Sequence, residues 1–119
     1  MRVMSMTDTS RTIPTETYFA IVRQSLLDTG QAYVRVTGTS MMPILRHLRD
    51  GVLLVPPRHV RTGDIVLFGR RNGRYALHRV IFKGRKGFVM AGDNQLHLER
   101  NLPYSQIIGV VSAIERDGK

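Results

Sequence analysis

The sequence predicts a mainly β protein, a coiled antiparallel sheet or partly open barrel with one N-terminal helix. Three observations carry that expectation. Short runs rich in Val, Ile, Phe and Tyr follow one another closely from Tyr33 onward. Turn-forming residues stand in nearly every gap between them. One stretch with helical spacing precedes them all, and nothing longer than a helical turn near Met42 to Leu48 interrupts the strands, so crossover helices of the α/β type have no place.

Residues 1–14 are polar, with Ser, Thr and Asp throughout, and read as a disordered arm. Thr15 can then cap a helix in which Phe19, Val22 and Leu26 recur on one face, flanked by Tyr18, Ile21 and Leu27. Gly30 supplies its stop. From there the apolar period shortens, and strands are expected at Tyr33 to Val36, Val52 to Val55, Ile65 to Phe68, Tyr75 to Phe82, Gly87 to Ala91 and Ile107 to Ile114. Between them lie Gly38, Pro43, Asp50-Gly51, Pro56-Pro57, Gly63-Asp64, Asn72-Gly73, Gly84 to Gly87 and Gly92-Asp93-Asn94, all read as turns, with Asn72-Gly73 the strongest hairpin signal. No internal repeat or linker divides the chain, so residues 15–119 are expected to form a single domain, with a helix at about 15–29 and a β-rich core at about 33–114.

Composition removes several function classes. The chain of 119 residues has no cysteine, so disulfide frameworks, thiolate metal sites and cysteine nucleophiles are excluded. No metal site or cofactor motif is expected. Its apolar runs fall far short of the ~20 residues that cross a bilayer as a helix, and the N-terminus lacks the apolar core of a secretory signal, which leads to the expectation of a cytoplasmic protein. The net charge of +9 favours an anionic partner. Because the arginines are scattered among turns rather than gathered on one element, and Phe and Tyr fall within core runs, nucleic acid is disfavoured, while peripheral contact with an anionic membrane stays open.

Two places could carry chemistry. Ser40, within Gly38-Thr39-Ser40-Met41-Met42-Pro43, lies where a β-run ends and a helical turn can begin, a setting that presents a hydroxyl beside free backbone N–H groups. Taken alone, this is also what a turn or capping serine looks like. A hydroxyl needs a base to take its proton. The candidates are His47, His59, His78, His97, Lys83 and Lys86, of which His78 is distinguished by lying inside the apolar run Tyr75 to Ile81, where a strand would fix and partly desolvate its ring. A histidine in a strand is also often a structural group.

The ordered series Gly38-Thr39-Ser40-Met41-Met42-Pro43, Gly63-Asp64-Ile65-Val66, His78-Arg79-Val80, Gly92-Asp93-Asn94 and Ile108-Gly109-Val110 resembles the type I signal peptidase superfamily, which includes LexA-like self-cleaving domains. The resemblance spans about residues 33 to 114. It implies a peptidase-like domain in which Ser40 is the acyl-enzyme nucleophile. Where bacterial signal peptidases and LexA-like domains carry a lysine in the central strand, this chain has His78, as in the endoplasmic-reticulum and archaeal type, which implies a Ser-His pair. Asp93 and Glu99 fall near the two acidic positions of that pattern, Glu99 in place of the usual aspartate. A carboxylate beside His78 would hold its tautomer and stabilise the imidazolium formed during acylation.

Three departures refine the expectation. The position two before the nucleophile, often serine in signal peptidases, is Gly38, so the oxyanion would rest on the Ser40 N–H and the Thr39 hydroxyl. The usual Gly-Asp after the proline appears reversed as Asp50-Gly51. Neither a membrane anchor nor the large accessory domain of bacterial signal peptidases is recognised, which points to a soluble peptide or small protein precursor as substrate. Met41, Met42 and Pro43 would line a shallow apolar groove where a substrate strand docks. Two other readings stand beside this one: a LexA-like self-cleaving regulator, against which the short stretch before Tyr33 argues, and a non-catalytic binding module using the basic face.

Overall fold

In the computed structural model, the residues described are 15–36, 50–70, 74–94 and 98–116. The helical spacing before Gly30 becomes α1 (Thr15–Thr29), which lays Phe19, Val22 and Leu26 into the core and leaves Ile21 and Leu27 exposed. Phe19 stacks on Tyr75 with ring centroids 3.8 Å apart, fixing the helix to the sheet. Gly30 ends the helix with φ +76° and donates its N–H to the Leu26 carbonyl at 3.0 Å, a left-handed cap that suits glycine.

The strands are β1 (Ala32–Arg35), β2 (Asp50–Val55), β3 (Ile65–Gly69), β4 (Tyr75–Gly84), β5 (Gly87–Ala91), β6 (Glu99–Leu102) and β7 (Ile107–Arg116), with one turn of 3-10 helix at Tyr104–Gln106. They form one antiparallel sheet in the order β1-β2-β7-β3-β4-β5-β6. The last strand is thus inserted at the middle, joining the β1–β2 pair to the β3-to-β6 meander. The mainly β expectation with one N-terminal helix holds.

Alternation along β3 and β4 sorts the side chains into two apolar clusters, one on each face of the sheet. Ile65, Leu67 and Leu77 pack with α1, Val34, Val52 and Leu54 on one face. Val66, Phe68, Ala76 and Val80 pack with Phe88, Met90 and Ile107 on the other. β3 is therefore apolar on both faces, which is why Ile65 to Phe68 reads as an unbroken apolar run.

Two sequence readings are corrected. Asp50-Gly51 is not a turn but the opening of β2: Val36 N–H donates to the Asp50 carbonyl at 2.8 Å, Asp50 pairs with Arg116, and Gly51 lies against the Tyr33 ring, where a Cβ would have no room. β6 was not expected at all. The segment Glu99–Leu102 lacks an apolar alternation, yet it pairs with β5 through Phe88↔Leu102 and Met90↔Glu99. Gly87 permits this approach, since its φ of +133° and a Cβ that would fall 2.6 Å from the Leu102 carbonyl oxygen exclude other residues. The expected helical turn near Met42 to Leu48 and the Asn72-Gly73 turn lie outside the described residues.

Candidate active site

His78 sits on β4 opposite Val66 of β3 and belongs to the face of the sheet that carries Ala76 and Val80. Its side chain is 2 % exposed, and its ring lies 5.4 Å from that of Phe68. An imidazole buried in this way resists protonation.

Its polar neighbour comes from β6. Glu99 Oε2 stands 2.9 Å from His78 Nδ1, off the line of the ring N–H, so the two meet at ion-pair distance without an aligned hydrogen bond. The carboxylate is itself gripped from the end of β3, where Arg70 donates from Nε to Oε1 at 2.9 Å and from Nη2 to Oε2 at 2.8 Å. This fork fixes both oxygens in plane. The Arg70 guanidinium also lies over the Phe68 ring, 5.6 Å from its centre.

The charges act on His78 in opposite senses. Burial pushes its pKa below the ordinary histidine value, Glu99 pulls it up, and Arg70 pushes it down, with burial prevailing. The ring is therefore held neutral. With a carboxylate at Nδ1, the favoured tautomer keeps the proton there and leaves the Nε2 lone pair as the basic site. Hydrogen bonding to Glu99 raises the Arg70 pKa, so the clamp stays charged.

Asp93, the other acidic candidate, is engaged elsewhere. Arg79, one residue along β4 from His78 and so directed to the opposite face, donates from Nε to Asp93 Oδ1 at 2.8 Å and from Nη2 to Oδ2 at 2.7 Å, while its Nη1 donates to the Gly63 carbonyl at 2.7 Å. This arginine ties the turn after β5 to β4 and to the turn before β3.

A family model for Peptidase S24-like proteins matches residues 4–112. The chain belongs to that family. Membership places it among the LexA-like and signal-peptidase-like serine peptidases, the group that the ordered motifs resemble. No curated protein matches it.

Of the site residues expected from sequence, His78 and Glu99 are brought into contact, and Asp93 is held by Arg79. Ser40 and the groove residues Thr39, Met41, Met42 and Pro43 lie outside the described residues. Arg70 is the participant that sequence reasoning missed. Among the described residues, no cluster of His, Asp and Glu could hold a metal ion, and no helix is long and apolar enough to cross a membrane.

Proposed function

We propose that this S24-like chain is a serine endopeptidase in which Ser40 is the nucleophile, His78 the general base and Glu99 the carboxylate that orients it. The observation that carries the reading is the buried imidazole of His78 with a clamped carboxylate at its Nδ1.

In this reaction Ser40 Oγ attacks the scissile carbonyl carbon as its proton passes to His78 Nε2. The Ser40 N–H and the Thr39 hydroxyl receive the oxyanion. Collapse of the tetrahedral adduct breaks the C–N bond, and the imidazolium returns its proton to the leaving amine. Water then attacks the acyl-enzyme with His78 again as base, releasing the acid and restoring the serine hydroxyl. Met41, Met42 and Pro43 would border the groove that receives the substrate strand, a soluble peptide or precursor leader. Asp93 serves indirectly on this reading, steadying through Arg79 the turn that leads towards β6.

The test is hydrolysis of a degenerate peptide library, read by mass spectrometry, together with labelling by a fluorophosphonate probe. Both activities should be lost in Ser40→Ala, and hydrolysis should fall by at least ~100-fold in His78→Ala. Retention of hydrolysis in both variants would overturn the proposal. Intact-mass analysis after incubation at alkaline pH separates the self-cleaving alternative: a specific cut within the chain before Tyr33, absent in Ser40→Ala, would reassign the same site to intramolecular cleavage.

A further inference from the structure

Glu99, which meets His78, also lines a cavity of about 550 Å³. Its wall is formed by Arg70 and Glu99, by Arg100 and Asn101 of β6 and by Gln106 of the 3-10 turn, with Leu102 and Pro103 supplying an apolar surface. Among the described residues, its donors are the guanidiniums of Arg70 and Arg100 and the amides of Asn101 and Gln106. Arg70 commits Nε and Nη2 to Glu99 and keeps Nη1. The Arg100 side chain is exposed, and with those of Asn101 and Gln106 it makes no hydrogen bond or ion pair among the described residues. Asn101 adopts φ +57°, a left-handed conformation that asparagine tolerates, where the β5–β6 register shifts.

The charge count selects the ligand. Among the described residues that line it, Arg70 is paired with Glu99 and Arg100 adds a positive charge, matched by a monoanion with two acceptor oxygens. Glu99 is 2.9 Å from His78 Nδ1 and also lines the cavity, so a peptide whose scissile carbonyl stands at His78 Nε2 extends past Glu99 to enter it. We propose that this cavity is a subsite for the carboxylate of an Asp or Glu side chain in the bound peptide, with Arg100 and Gln106 as its specificity-determining residues. The inference rests on the peptidase reading for the presence of a peptide, and it adds the acidic residue that such a peptide would carry.

The test uses the full-length Ser40→Ala chain, which binds without cutting, and fluorescein-labelled dodecapeptides of Ala, Ser and Val in which one Glu is moved position by position. Each has a Gln counterpart. Fluorescence anisotropy at physiological ionic strength should show one or two adjacent positions where Glu binds roughly tenfold more tightly than Gln. Adding Arg100→Ala or Gln106→Ala should erase the preference while leaving the Gln peptides unchanged. Equal binding of Glu and Gln peptides at every position, binding of neither, or a preference that survives the double Arg100→Ala/Gln106→Ala substitution would overturn the subsite. Incubating the same peptides with the unaltered chain separates the two proposals. A Glu preference in binding with no hydrolysis sinks the peptidase reading and keeps the subsite, whereas hydrolysis without a Glu preference sinks the subsite alone.

Discussion

At the scale of single residues, Glu99 is pulled on from both sides, by the Arg70 guanidinium and by the His78 ring. Its negative charge favours the imidazolium, and the positive charge of Arg70 opposes it, so the two neighbours move the His78 pKa in opposite directions. Substitution should expose this opposition in the acid limb of a kcat/KM profile. Glu99→Gln removes the stabilising anion, and the limb should move to lower pH while the plateau falls by about 100-fold or more. Arg70→Met removes the opposing cation, and the limb should move to higher pH with a smaller fall at the plateau. Limbs that shift the same way in both variants would show that these charges do not act through His78. The residues were unequally legible. His78 stood out because a lone imidazole in an apolar strand run is a polar group that needs a reason. Glu99 emerged from the order of family motifs alone. Arg70 could not be distinguished from Arg71 or Arg74 beside it, since its contact with Glu99 joins positions 29 apart in the chain.

At the scale of elements, the strands with apolar alternation were legible and β6 was not, because it is an edge strand held by β5 rather than by its own burial. Its place depends on Gly87, where a side chain would run into the backbone of Leu102. Asp50-Gly51 misled for the converse reason: a dipeptide that favours turns locally is drawn into β2 by pairing with β1 and β7. Gly87→Val should therefore act on the site at a distance from it. The left-handed backbone and the clash together should cost about 1–3 kcal/mol in urea unfolding, and kcat should fall at temperatures where the variant is still folded, because β6 carries Glu99. Full activity in a measurably destabilised variant would separate the closure of β5 on β6 from the placement of the carboxylate.

At the scale of the whole molecule, one sheet serves two clusters, and His78 lies on the face without the helix, among residues that exclude water. Holding a base neutral there couples the site to the stability of the fold. The folded His78 pKa lies below its unfolded value of ~6.5, chiefly through burial. The unfolded chain thus takes up this proton first as pH falls, and stability rises with pH wherever the unfolded state binds more protons. The contribution of a neutral His78 is fully present above pH ~6.5 and is lost progressively as pH drops from there towards the folded pKa. Urea unfolding between pH 7.5 and 5 should show the unaltered chain losing stability faster than His78→Gln, with an extra slope of at most about 1.4 kcal/mol per pH unit. The carboxylates titrate in both proteins and largely cancel in the comparison. Parallel curves would mean that the imidazole protonates as readily inside the fold as outside it, and a base that does so has no protected neutral form to offer a serine.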